Sequence, residues 1–296
     1  MQEITNQVML QNLERVLQKI SGTRSQVGAF DVFTQRMMLQ RNWGFEFYLE
    51  PRILEYARWL EVSDEETNFT YAMKNRHHLA GWVDCVTRCG IARANAVLDE
   101  IENDVWLIDY IRAAERQSQS RERYHALGSA LYGRRVGWYA IARITRPGLV
   151  VETGVDRGLG SVILCRALML NAEEGFPGVY MGTDINPEAG YLLRDPLTRF
   201  GAIHYGDSIE TLRKLDRKID LFINDSDHSA EYEAAEYRTI HRSLAENAVL
   251  LGDNSHATSK LYEFAVEHDM SFVHFQEMPQ DHWYPGAGIG AAFRRP

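Results

Sequence analysis

Five apolar, β-branched runs in the second half of the chain each end in a residue able to do chemistry. The runs finish at Gly154, Asp184, Asp207, Asp225 and Asp253. The first opens VVETGVDRGLGS (residues 150–161), where an apolar stretch breaks into glycines and is followed by the helix-dense VILCRAL. Strand, glycine turn and helix form the usual cradle of a nucleotide-type cofactor. Glycine lets backbone approach the ligand, and the helix start offers unpaired N–H groups. Asp184, 30 residues after Gly154 at the end of the next run, suits acceptance from two ribose hydroxyls. Any one of these aspartates could simply cap a helix. Five strand ends in succession, opening on one cleft, point to a binding site.

Those residues need elements to hold them. From Leu149 onward strand-like and helix-like stretches alternate: 179–183, 202–205, 219–223 and 248–252 read as strands, with helical spacing at Tyr237, Ile240 and Leu244 between two of them. Such alternation predicts a mostly parallel sheet covered on both faces. Residues 271–275 and 289–293 read as a final antiparallel pair joined by an aromatic loop, 276–288. Up to about residue 145 the texture is helical. Ile4, Val8, Leu13, Leu17 and Ile20 form a stripe, Pro51 can open a helix, Ser63 with Glu66 has capping-box form, and 91–116 reads as helix. The expected division is a helical region, 1–145, and a cofactor-binding domain, 146–296.

Bulk properties limit the function classes. The chain has 296 residues, 45% hydrophobic and 25% charged, with net charge −9. The acidic balance argues against a nucleic-acid binder. The N-terminus has neither the basic start nor the apolar run of a signal peptide, and no stretch is apolar enough to span a bilayer. Cys85, Cys89 and Cys165 are too few for a zinc site and read as buried free thiols. The expectation is a cytoplasmic protein without nucleic-acid or membrane partners, acting on a small molecule.

The glycine spacing decides between cofactors. G-x-G-x-x-G fails whether started at Gly154 or at Gly158, which counts against a dinucleotide. The E-x-G-x-x-x-G string, Glu152, Gly154 and Gly158, instead resembles the first motif of class I S-adenosylmethionine-dependent methyltransferases. That resemblance covers about 145–296, antiparallel tail included. It implies a Rossmann-like seven-stranded α/β sheet with the last strand antiparallel and S-adenosylmethionine as cofactor. It further implies ribose contact by Asp184 and adenine contact around Asp207 and Ser208. The family's serine after the glycine turn is replaced by Gly160, which shifts the methionine-carboxylate contact to Ser161 or to backbone N–H groups.

Within that class, DLFINDSDH and VLLGDNSH resemble the cation-dependent O-methyltransferases of the catechol and caffeoyl-CoA type and the macrolide and aminocoumarin sugar O-methyltransferases. The resemblance implies a divalent cation, magnesium or another, held by Asp225 or Asp227, or by both, with Asp253 and Asn254. Such an ion takes about six oxygen ligands, which leaves room for adjacent substrate hydroxyls. His228 or His256 could take the proton, as could Asp225 if it is not a ligand. The reaction so implied is O-methylation of a sugar, polyketide or phenolic diol. The alternatives are a metal-independent N- or O-methyltransferase using Asp225 and His228 as an acid–base pair, and a non-catalytic binding protein on the same fold. Loop 280–286 could cover the acceptor or be plain surface. Trp138 has core spacing, and Arg134 and Arg135 read as solvated. The long helical region suggests a role in acceptor choice or homo-oligomer formation.

Overall fold

The computed structural model describes residues 50–54, 57, 71–117, 132–253, 255–280, 282 and 284–294. The chain divides into two compact units, 1–54 and 55–296. Of the first, residues 50–54 are described and are helical, Pro51 among them. The stripe from Ile4 to Ile20 and the Ser63–Glu66 pair lie outside the described residues.

In the second unit, helices α1 (Arg76–Thr87), α2 (Ile91–Glu102), α3 (Val105–Gln117) and α4 (Arg135–Thr145) precede the sheet. The expected helix over 91–116 is two helices. The Asp104 carboxylate accepts from the Leu107 amide at 3.0 Å and starts α3 with its own cap. In α2, Ala94, Val97, Leu98 and Ile101 are buried, a spacing that puts one stripe against the core. Helix α4 is buried continuously from Arg135 to Arg143, because it has neighbours on every side. Its Arg143 stays charged there by pairing with Glu100 and Glu174, each at 2.7 Å.

The sheet follows: β1 (Leu149–Thr153), α5 (Leu159–Glu173), β2 (Val179–Asp184), β3 (Gly201–Tyr205), α6 (Ser208–Arg213), β4 (Ile219–Asn224), α7 (Ala230–Ile240), β5 (Leu244–Asp253), α8 (Lys260–Glu267), β6 (Ser271–Gln276) and β7 (Gly288–Phe293). Strand order is β3-β2-β1-β4-β5-β7-β6, with β7 antiparallel to both neighbours. This is the Rossmann-like methyltransferase sheet. Side chains alternate between two cores, as the strand period of two requires. Val150, Leu221, Ile223 and Leu251 pack with α4 and α5, and Val151, Phe222 and Leu250 pack with Tyr237 and Phe264.

Register aligns the strand tips. Thr153 pairs with both Thr183 and Asn224, Asn224 with Gly252, and Asp184 with Tyr205. Loops after β1 to β5 therefore leave the sheet side by side. Among the described residues no helix is long and apolar enough to cross a membrane. Cys165 is buried in α5 and Cys85 is exposed on α1, so the expectation of buried thiols holds for the first and fails for the second.

Candidate functional site

A cleft of about 480 Å³ lies across these tips, lined by the turn after β1 and the ends of β2, β3 and β4. At its centre Asp184 fixes the glycine turn. One carboxylate oxygen accepts from the Val155 and Asp156 amides at 3.0 Å, and the other from the Asn186 amide at 2.8 Å. Ile185 beside it is 80% exposed, an apolar surface presented to the cleft.

The glycines answer to neighbouring chain as well as to ligand. Gly154 has φ +78°, and a Cβ there would stand 2.0 Å from the Asp225 carbonyl oxygen. The β4 tip crosses the β1 turn so closely that no side chain fits. Gly158 lies in left-handed backbone as the cap of α5, off the cleft lining. Gly160, where the family has serine, would place a Cβ 2.8 Å from the Trp138 ring and closer still to the Glu152 carboxylate. Trp138, at zero exposure, has taken the space, in line with its core reading.

Asp207 does two things. Its carboxylate accepts from the Glu210 amide at 2.9 Å, capping α6, and it lines the cleft. Ser208 and Tyr232 stand beside it, their hydroxyls 2.9 Å apart, with Tyr232 donating to Asp207 at 3.2 Å. Beneath them is a residue that sequence reasoning missed. Glu236, at zero exposure on α7, accepts from Thr153 at 3.1 Å, from Ser226 at 2.8 Å, and from Ser208 and Asn224. One carboxylate thus joins β1, β4, the loop after β4 and α6. Burial raises its pKa against the pull of these donors. An acid in a helix reads as surface, and only the convergence of four donors marks it.

The second acid cluster sits at the tips of β4 and β5. Asp225 and Asp253 stand close enough that each carboxyl acts on the other. Burial and the neighbouring Asp253 push the Asp225 pKa well up. Burial works the same way on Asp253, but the charge and hydrogen bonds of Arg134 hold it low. Arg134 is bidentate to Asp253, Nε and Nη2 each at 2.5 Å, and reaches Glu277 at 3.0 Å. Arg135 approaches Asp225 at 3.6 Å. The solvated reading of both arginines is corrected: they are 2% and 7% exposed. Their long side chains turn in to the acids at the strand tips, charges the helix pattern alone could not locate.

The remaining predicted residues are spread around this cluster. Asp227 is exposed and its carboxylate accepts from the Ser229 amide at 2.8 Å. His228 places Nε2 4.0 Å from Asp225 with 47% of its side chain exposed. His256 is exposed, its ring centre 6.5 Å from that of His274. Asn254 lies outside the described residues. Among those described, no group of three or more His, Cys, Asp and Glu is placed to hold a metal ion. Among the described donors Asp253 does not fit a divalent cation, because a guanidinium spans both its oxygens.

Glu152 and Ser161 are turned away from the cleft. Glu152 is 1% exposed and accepts from Tyr180 at 2.5 Å, with the Ser161 hydroxyl 2.7 Å from that of Tyr180. Burial pushes the Glu152 pKa up to about 7, against the Tyr180 hydrogen bond and the Arg135 charge. The folded state therefore binds this proton more tightly than the unfolded chain. Its contribution to stability is complete below about pH 4.5 and is lost as pH rises to about 7. Relative to wild type, Glu152→Gln should gain about 3 kcal/mol in stability across that interval, at about 1.4 kcal/mol per pH unit. Urea unfolding of both proteins at the two ends measures it, and parallel pH profiles would refute the assignment.

Residues 151–255 match a family model described as a methyltransferase domain. No curated protein matches the sequence. Among solved structures, the chain is similar to the O-methyltransferase TomG from Streptomyces achromogenes, involved in tomaymycin synthesis and in complex with SAM (15% identity, TM-score 0.46, 64% of this chain and 90% of that one). It is also similar to an O-methyltransferase from Bacillus cereus in complex with SAH (15%, 0.46, 73% and 97%). A third likeness is to a methyltransferase from Geobacter sulfurreducens (19%, 0.46, 69% and 96%).

Proposed function

We propose that the protein is an S-adenosylmethionine-dependent methyltransferase that methylates a hydroxyl of a small molecule. The observation that carries this reading is the charge of the cleft. Asp156, Asp184, Asp207, Asp225 and Asp227 line it, and no Lys or Arg does among the described residues. A dinucleotide would bring phosphates against five carboxylates. An adenosyl sulfonium brings ribose hydroxyls, which carboxylates accept, and a positive charge, which they attract. The volume suits a ligand of that size.

Transfer needs an acceptor oxygen in line with the sulfonium methyl and a group to take its proton. The oxygen–carbon bond forms as the carbon–sulfur bond breaks, and the sulfur leaves neutral. His228, at the rim and within reach of Asp225, is the residue we assign to receive the hydroxyl proton. Tyr284, partly exposed and with its ring centre 6.1 Å from that of buried Tyr71, is the aromatic surface against which an acceptor ring or sugar would pack.

Calorimetric titration with S-adenosylhomocysteine tests the cofactor. Wild type should bind it, and Asp184→Asn should bind it about 10- to 100-fold more weakly, the cost of about 1.5–3 kcal/mol for a hydrogen bond to a charged group. No binding by the folded wild type, or equal binding by a variant with unchanged melting temperature, would overturn the reading.

A further inference from the structure

We propose that Arg134, and not a divalent ion, is the resident cation of the Asp225–Asp253 site, and that methyl transfer here is metal-independent. The proposal concerns the same cleft as the cofactor reading, and separate titrations test the two.

Chemistry at this position calls for a positive charge beside two carboxylates. Arg134 supplies it in a form a metal cannot share. Its planar fork engages both oxygens of Asp253, so an ion cannot chelate that carboxylate from the side the guanidinium occupies. Asp253 is 4% exposed and Arg134 2%, so the guanidinium rather than solvent covers that carboxylate.

The guanidinium is itself held from other directions. Nη1 donates to Glu277 at 3.0 Å and lies 3.4 Å from the Tyr71 hydroxyl. The Arg134 amide donates to the other Glu277 oxygen at 3.1 Å. Glu277 in turn accepts from the Ala287 amide at 2.8 Å, and the two residues pair through backbone at 3.0 Å. Arg134 therefore joins the β5 tip to both ends of the loop between β6 and β7. A metal would hold the carboxylates and the substrate. This clamp holds the carboxylates and the loop, and leaves substrate orientation to that loop.

Such placement has a local cost, since Arg134 and Arg135 open α4, where the helix dipole disfavours cations. Three acids, Asp253, Glu277 and Asp225, compensate. The arrangement is a built counter-ion system rather than two stray arginines.

Manganese, titrated with electron paramagnetic resonance detection of free ion, reads the site directly. The full chain, with and without S-adenosylhomocysteine, should show no binding that depends on Asp253 at about 1 mM ion, the weak end of protein sites for hard divalent cations. Arg134→Gln should free the carboxylates, gain a manganese site and melt at a higher temperature with manganese than without, while wild type does not shift. One ion bound per wild-type chain and lost in Asp253→Asn would overturn the proposal. So would a folded Arg134→Gln variant that binds no ion, because the guanidinium would then not occupy a cation's place. Binding retained in Asp253→Asn and lost in Asp225→Asn would overturn it as well, whereas binding retained in both places the ion outside this site. If Arg134→Gln does not fold, the wild-type and Asp253→Asn titrations decide.

Discussion

Gly154→Ala should cost about 2–6 kcal/mol in stability and at least about 100-fold in S-adenosylhomocysteine affinity. Two effects add: left-handed backbone in a residue with a Cβ, at about 1–3 kcal/mol, and overpacking, at about 1–3 kcal/mol. The overpacking cannot relax by a rotamer change. The obstructing atom is a main-chain carbonyl oxygen, that of Asp225, 2.0 Å from the added carbon. Relief requires the β4 tip to move away from the β1 turn, which separates residues of both acid clusters, since Asp184 holds that turn and Asp225 begins that loop. Chemical denaturation and calorimetry provide the two readings. A variant with wild-type melting and near-wild-type affinity would mean that the tips do not pack as described.

The second large effect is at Glu236. Glu236→Leu leaves the buried donors Thr153 and Asn224 without this acceptor, and takes a partner from Ser208 and Ser226 as well. At about 1–3 kcal/mol per stranded group the loss should reach about 4 kcal/mol or more. Glu236→Gln keeps the shape and one acceptor, and its hydroxyl neighbours can rotate to accept from the new amide. Its stability should fall between wild type and Leu. Glu236 touches three of the segments that line the cleft without lining it itself, so affinity for S-adenosylhomocysteine should fall in the same order. A Leu variant as stable as wild type would remove Glu236 from the positioning of the site.

Much of the architecture was legible along the chain because it depends on local period. Each strand of the second half stands within a few residues of its expected place, β5 being the one that begins earlier. The antiparallel end was readable because two strand patterns follow one another without a helix. The break between α2 and α3 was not, since Asn103 and Asp104 do not interrupt apolar spacing, and only the Asp104 cap separates the helices.

The sequence by itself determined that acids follow strands. Register then fixes that they meet, because strand tips in a parallel sheet share an edge. Which acids face ligand and which face protein was decided by tertiary structure alone. Asp184 and Asp207 reach the cleft, whereas Glu152, two residues from Gly154, points into the core against Tyr180. Asp253 looks like a ligand for a cation until Arg134 arrives from a helix 119 residues away and takes both its oxygens. Charges so distant in the chain find each other only when the core closes, for burial makes an unpaired carboxylate costly and selects the partner that reaches it.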